Sequence, residues 1–280
     1  MGDTGVAVVT GAAGGLGFGL AAGLTARGMK VAIADIDATA LAVAGERLRE
    51  GGAQVLDVPA DVTKQEAVAA LADRTLDRFG RVDVVCLNAG VSLRGRAWEL
   101  STDDWRWIYD VNVFGVVHGI RSFVPTLLAQ GAGHVLITAS DSAVTTLPAL
   151  APYVSSKHAV LSLAETLQHD LIETGSGVLV SVALPGAIRS RMADAVRNRP
   201  PEYGSAQVSA EVLRASRTYL ERHGADPQTL ADNILRQALD ERRFCIFTDP
   251  ADIPPLTART EAIRDGRLPS VTMRVIQENR

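Results

Sequence analysis

Tyr153 and Lys157 stand four residues apart in Tyr153-Val-Ser-Ser-Lys157, just after Pro148 and Pro152 and ahead of the apolar run Ala159–Ala164. Pro152 suits the first turn of a helix, where a missing N–H does no harm. Spacing of four then places Tyr153 and Lys157 on one helical face. A free tyrosine titrates near ~10, too high for proton transfer at neutral pH. A neighbouring cation favours the phenolate. Bringing the phenol to about 7 takes roughly 4 kcal/mol of differential stabilisation, of which one lysine can supply part. The plain alternative is a Tyr and a Lys on a solvated face, so the rest of the chain has to decide.

Ser140 lies thirteen residues before Tyr153, at the end of the strand-like run Gly133–Thr138. A strand end and a helix start can bring the two together at the carboxyl edge of a sheet, where its hydroxyl would hold a substrate oxygen. No His–acid pairing makes it a nucleophile, so a hydrolase triad is rejected. Asn112 falls inside a long helix expected from Ser101 or Thr102 to about Gln130, opened by a capping box of Ser101 with Asp104. An Asn beside Gly115 in mid-helix is either solvent-facing or marks a break in the hydrogen-bond ladder.

These residues need a frame, and the pattern is strand alternating with helix. Val6–Thr10 reads as a buried strand, followed by Gly11-Ala-Ala-Gly14-Gly15-Leu16-Gly17 and a helical pattern closed by Gly28. Strand, glycine turn and helix form the context of a phosphate-cradling loop. A second strand, Lys30–Asp35, puts Asp35 eighteen residues past Gly17. An acid there can bind both hydroxyls of an adenosine ribose and repels a 2′-phosphate. No Lys or Arg lies from Thr10 to Gly17 or from Val31 to Asp37, so NAD is favoured over NADP. Asp37 reads as the cap of the next helix. Further strands are expected at 53–58, 82–87, 133–138, 178–184 and 244–248. Asp61-Val62 closes the third; Asp61 either caps the helix from Thr63 to Phe79 or faces the adenine. Asn88-Ala89-Gly90 ends the fourth, and Pro185-Gly186-Ala-Ile188-Arg-Ser190 follows the sixth. Seven strands with intervening helices predict a single-domain, Rossmann-like, doubly wound α/β sheet, mostly parallel, with helices on both faces. On this reading 1–250 form the dinucleotide-binding domain, with a partly helical substrate loop at about 189–225, and 251–280 a C-terminal extension.

Composition sets the outer limits. The chain has 280 residues, 47% hydrophobic and 21% charged, with net charge −4. It can bury a core and has no basic stripe for nucleic acid. The N-terminus shows neither an export signal nor a myristoylation match, and no apolar run of ~18 residues predicts a membrane span, so a cytoplasmic protein is expected. Cys86 and Cys245 sit in short apolar runs and read as buried free thiols. The five histidines show no metal-like spacing, and no metal is expected.

Taken together, these pieces resemble the classical short-chain dehydrogenases/reductases, motif by motif over roughly 5–190. Thr10–Gly17 look like the family's cofactor loop, Asn88-Ala89-Gly90 its central strand motif, and Pro185-Gly186 its nicotinamide-side turn. Asn112, Ser140, Tyr153 and Lys157 match its catalytic tetrad in order and spacing. The resemblance implies interconversion of a secondary alcohol and a ketone with NAD, or less readily NADP. Tyr153 would exchange the substrate's proton, Lys157 lower its pKa and hold the nicotinamide ribose, Ser140 bind the substrate oxygen, and Asn112 anchor a water relaying protons to Lys157. Gly11, Gly14, Gly15, Leu16, Gly17, Asp35, Ile36, Asp61, Val62, Asn88, Ala89, Gly90, Pro185, Gly186, Ile188 and Ser190 would contact the cofactor, with Tyr153 and Lys157. Ser190 stands where the family usually has Thr, and Asp141 adds a carboxylate where small or neutral residues are common. The family also implies a homotetramer or homodimer joined through helices at about 101–130 and 152–174. A sensor or scaffold that binds NAD(H) without turnover is the rival reading. An epimerase or dehydratase of the extended type is disfavoured by the short chain.

Overall fold

The structure, a computed structural model, describes residues 5–206 and 208–271. Residues 1–4 and 272–280, part of the N-terminal and C-terminal readings above, lie outside the described residues. The strands are β1 (Val6–Thr10), β2 (Lys30–Asp35), β3 (Val55–Pro59), β4 (Val84–Leu87), β5 (Ala132–Thr138), β6 (Gly177–Leu184) and β7 (Cys245–Phe247). They form one sheet in the order β3-β2-β1-β4-β5-β6-β7, every described pairing parallel.

Alternation along the strands builds two cores. Val8, Val85, Val135 and Ile137 face one side with α3 (Gln65–Phe79), α4 (Thr102–Tyr109), α5 (Gly115–Gln130) and α6 (Ala151–Glu173). Ala7, Val9, Cys86 and Leu136 face the other with α1 (Gly15–Ala26), α2 (Ala38–Glu50) and α8 (Pro227–Leu235), which follows α7 (Ala210–His223) in the chain. A period of two sends neighbours to opposite faces, so continuous apolar runs mark strands covered on both sides. The order reverses at β1, between β2 and β4. That switch point opens a crevice at the carboxyl ends of β1 and β4, where such sheets bind ligands.

Local chemistry fixes the helix starts. Ser101 and Asp104 form the expected capping box, and Asp37 caps α2 by accepting the Ala40 N–H. Asp61 does not cap α3. That helix starts at Gln65 with Lys64 at its N-cap, and Asp61 instead accepts the Thr63 N–H within the preceding turn. Of the two alternatives at Asn112, the structure has the break, a π-helical turn, Asp110–Phe114, between α4 and α5. As one helical run, Thr102–Gln130 is long and apolar enough, by length and composition alone, to cross a bilayer, as a core helix can also be. Its Trp107, Ile108, Phe123 and Leu127 are buried in the core. Cys86 is buried as expected, but Cys245 is exposed, because β7 is a three-residue strand at the sheet's edge.

One buried polar pair carries a pH dependence. His134 of β5 lies 2.9 Å through Nε2 from the Ser181 hydroxyl of β6, which donates onward to the Arg243 carbonyl. Burial, with a smaller push from Arg242, lowers the imidazole to about 4. The folded chain thus keeps His134 neutral, while the unfolded chain protonates near ~6.5. The associated stability is complete above that value and is lost as pH falls toward the folded value, up to about 3 kcal/mol. Urea midpoints should therefore fall between neutral pH and pH ~4.5, and less so in His134→Gln; equal slopes in the two proteins would remove His134 as the cause.

Candidate active site

The crevice is braced by side chains at three strand ends. Thr10 Oγ1 closes β1 by accepting the Asn88 and Ala89 N–H groups at 3.0 and 3.1 Å. Asn88 Nδ2 donates back to the Thr10 carbonyl at 3.0 Å, and Asn88 Oδ1 accepts the Thr138 hydroxyl at 3.2 Å. Lys157 Nζ then donates to the Thr138 carbonyl at 3.0 Å. A continuous hydrogen-bonded path so joins the glycine loop after β1 to the lysine on α6. Thr138 is the member that sequence reasoning missed; a threonine ending an apolar strand carries no distinguishing signal.

The glycine loop fits a dinucleotide for reasons visible in its own packing. A Cβ on Gly17 would sit 2.1 Å from the Gly11 carbonyl oxygen, so α1 can approach β1 this closely only with glycine there. Gly11 has φ +67° and a would-be Cβ 2.9 Å from Ala89 Cα. Gly14 differs: a Cβ there would touch nothing, so this part of the loop is open. The α1 N-terminus has no side-chain cap and no acidic residue in its first turn. Its N–H groups are set to meet an anion, which suits a pyrophosphate. Leu16 is buried in α1, and Ser190 Cβ lies 3.2 Å from where a Gly15 Cβ would stand, so the turn after β6 closes over the loop.

Asp35 sits at the end of β2, with Oδ2 accepting the Ala13 N–H at 3.1 Å and Oδ1 the Asp37 N–H at 3.0 Å. The following Ile36 is 42% exposed. Val62 packs its side chain on Gly115, and its carbonyl lies 2.8 Å from His118 Nδ1. Beyond β6, Pro185 is buried, and Ala187 and Arg189 bridge to Ala225, which leaves the Ile188 N–H and C=O outside that bridge.

The four tetrad positions come together. Asn112 is fully buried on the π-helical turn. Its Oδ1 accepts the Val91 N–H at 2.8 Å, and its Nδ2 donates to the Val91 carbonyl and to Ser156 Oγ. Ser156, also missed from sequence, donates its hydroxyl to the Tyr153 carbonyl at 2.7 Å. A Cβ on Gly90 would lie 3.4 Å from both Asn112 Oδ1 and Lys157 Nζ, so the chain leaving β4 runs beside both side chains. Ser140 is buried, and its contact with Tyr153 favours the phenolate.

The electrostatics differ from the sequence expectation. Burial pushes the Tyr153 phenol up to about 12, with Asp141 raising it further against the Ser140 contact. Burial also lowers Lys157 to about 8. The ammonium lies 5.8 Å from the Tyr153 ring centroid and is spent on the Thr138 carbonyl. Helical spacing made the two neighbours, but desolvation of both outweighs the lysine's help to the phenolate.

The chain is also recognisable as a whole. The family model described as short chain dehydrogenase matches residues 5–201. The chain belongs to the short chain dehydrogenase family. It is thus an oxidoreductase of a family that uses NAD(P). A solved short chain dehydrogenase/reductase from Burkholderia phymatum in complex with NAD superposes with a TM-score of 0.92 at 39% identity, covering 98% of this chain and 99% of that one. The 1-deoxy-11-beta-hydroxypentalenate dehydrogenase of Streptomyces avermitilis is 41% identical over 87% of this chain and 84% of its own length. The CLA biosynthesis dehydrogenase/reductase of Lactiplantibacillus plantarum is 32% identical over 95% of both.

After β6 a loop runs across the end of the matched region. Short 3₁₀ segments at Arg191–Asn198 and Pro201–Tyr203 precede α7. A cavity of about 540 Å³ lies within the loop, lined by Val196, Arg199, Pro201, Val208 and Leu213 among others. Arg199 anchors the loop by donating to Asp104 at 2.5 Å and to the Tyr203 carbonyl, with Arg199 and Asp104 side chains 3% and 0% exposed. Tyr203 donates its hydroxyl to Asp110 at 2.9 Å, and Lys64 pairs with Glu202.

Proposed function

We propose that this chain interconverts a secondary alcohol and a ketone, prefers NAD over NADP, and uses Tyr153 as its general acid/base. The observation that carries the reading is buried Lys157, tied to the Thr138 carbonyl at the end of β5 and 5.8 Å from the Tyr153 ring centroid, with buried Ser140 following the same strand end. The dehydrogenase names of the relatives support a hydroxyl as the reacting group.

The open glycine loop and the uncapped α1 N-terminus fit a dinucleotide. Gly11, Gly14, Gly15, Leu16 and Gly17 would hold its pyrophosphate side, and Asp35, Ile36, Asp61 and Val62 its adenosine. Asn88, Ala89 and Gly90, with Pro185, Gly186, Ile188 and Ser190, would hold its nicotinamide side, and Tyr153 and Lys157 the adjoining ribose. When bound, NAD supplies the hydride acceptor and a positive ring charge. Ser140 holds the substrate oxygen beside Tyr153. Tyr153 gives its proton to a ketone oxygen or takes one from an alcohol. Its high pKa makes it the acid form at neutral pH, so alcohol oxidation rises toward alkaline pH. Lys157 and an Asn112-anchored water return the proton to solvent. The long helices α4–α5 and α6 join two or four copies, and 251–271, which includes α9 (Ile253–Arg264), extends the domain.

Cofactor choice tests the adenosine end. Asp35→Asn removes the charge that repels a 2′-phosphate and keeps an acceptor for one of its two N–H partners. The NADP-to-NAD ratio of kcat/KM should rise about tenfold or more, the equivalent of roughly 1.4 kcal/mol. A wild-type preference for NADP, or an unmoved ratio, would remove Asp35 from the argument.

A further inference from the structure

Ser156 stands between Tyr153 and Lys157 in the chain and has no part in the mechanism above. It is fully buried, as is Asn112. A helical serine commonly satisfies itself by donating back to a carbonyl one turn earlier, and such a bond is local to its own helix. Ser155 does this, donating to the Ala151 and Pro152 carbonyls at 2.7 and 3.2 Å. Ser156 also donates back, to the Tyr153 carbonyl at 2.7 Å. Unlike its neighbour, it accepts a second bond, at 2.9 Å, from Asn112 Nδ2 on the π-helical turn, 44 residues away.

That second bond completes a brace. The Asn112 amide grips the chain leaving β4: Oδ1 accepts the Val91 N–H at 2.8 Å, and Nδ2 donates to the Val91 carbonyl at 3.0 Å. Its other amide hydrogen goes to Ser156. The Val91 backbone, Asn112, Ser156 and the Tyr153 carbonyl thus form one buried line from the exit of β4 to the start of α6. The helix has another tether, from Lys157 Nζ to the Thr138 carbonyl at the end of β5. A single tether leaves a helix free to pivot; two, on the paired strands β4 and β5, fix how its first turns face the sheet. Both tethers pass Gly90, whose would-be Cβ lies 3.4 Å from Asn112 Oδ1 and from Lys157 Nζ.

We infer that Ser156 is a positioning residue: through Asn112 it sets the Tyr153 turn of α6 against the chain leaving β4, and so the phenol against the nicotinamide side of the crevice. The inference rests on Tyr153 as the proton-transfer group. An alcohol gives up its hydroxyl proton and its carbon-bound hydride from one carbinol group, so the phenol and the hydride acceptor have to be placed together. A misplacement of about 1 Å in such an arrangement costs on the order of a hundredfold in rate. Ser156→Ala removes only the hydroxyl. It strands one Asn112 amide hydrogen and leaves α6 with the Lys157 tether alone. Ser156→Thr keeps the hydroxyl and adds a methyl group to a filled site.

Hydrogen exchange at the Val91 amide reads the brace without substrate. In Ser156→Ala the Val91 N–H should exchange about tenfold faster, a larger change than at the β1 amides, which report opening of the whole chain. Ser155→Ala should leave Val91 at the wild-type rate. NADH formation from isopropanol, cyclohexanol and benzhydrol with NAD reads the consequence. Turnover should fall about tenfold or more in Ser156→Ala while NADH binds within about twofold of wild type. Ser156→Thr should recover most of that turnover although its extra methyl lowers the melting temperature. A merely structural serine gives a different pattern, with turnover following melting temperature through the Ala and Thr variants. That pattern, a Val91 amide unmoved in Ser156→Ala, or equal turnover by Ser156→Ala and wild type would each overturn the inference. Full turnover by Tyr153→Phe would instead overturn the proton-transfer reading, a separate result that the exchange rates do not touch.

Discussion

Tyr153→Phe should lose turnover by roughly a thousandfold while still binding NADH close to wild type. The size follows from removing a positioned general acid/base, which contributes about 10²–10⁴ in rate. Binding should survive because the loss is one hydroxyl. The glycine loop, Asp35 and the Thr10–Asn88–Thr138 path do not depend on it. The phenol's neighbour also survives the change, since Ser140 keeps its bonds to Asp141 and the Ser142 N–H. Steady-state kinetics with fluorescence titration of NADH separates the two effects. A variant that turns over normally would mean that another group moves the proton. A variant that loses NADH binding to the same degree would mean that the hydroxyl had been a cofactor ligand and no more.

The largest expected loss of stability lies elsewhere, at Arg199. Its guanidinium and the Asp104 carboxylate are both sequestered, and Asp104 also takes the Ser101 N–H and hydroxyl. Arg199 stacks over Trp107, 5.1 Å from its ring centroid, so the pair is packed as well as charged. Arg199→Leu leaves a buried carboxylate without its cation and should cost about 3–5 kcal/mol. Asp104→Asn with Arg199→Met should cost less than the sum of the single changes, because neither charge is then stranded. Urea unfolding of the three proteins tests this. Additive losses would show that the pair is two independent contacts. The single change should also free Val196–Tyr203 for proteolysis, because Arg199 donates to the Tyr203 carbonyl and ties that segment to α4.

How far these features could be read from the chain depends on the range of the interactions that make them. The strands were legible because a segment covered on both faces must be apolar throughout, as Val6–Val9 and Val135–Ile137 are. The Ser101–Asp104 cap and the irregularity at Asn112 were legible because both are contained within one turn of chain. Helical spacing likewise placed Tyr153 beside Lys157. It carried no information on desolvation, and desolvation decides the sign of the shifts at both residues. Cys245 was misread because an apolar triplet looks the same on an edge strand as in the middle of a sheet. Arg199 carries no signal of its burial in the chain, since its partner Asp104 lies 95 residues away.

The most direct measurement is a panel of secondary alcohols, aliphatic, alicyclic and aryl, incubated with the wild-type chain and NAD at neutral and alkaline pH while NADH absorbance is followed. NADH should form with at least one class of alcohol, faster at alkaline pH and faster with NAD than with NADP. Silence across the whole panel, in a chain that nonetheless binds NADH tightly, would contradict turnover and favour a dinucleotide sensor built on the same fold.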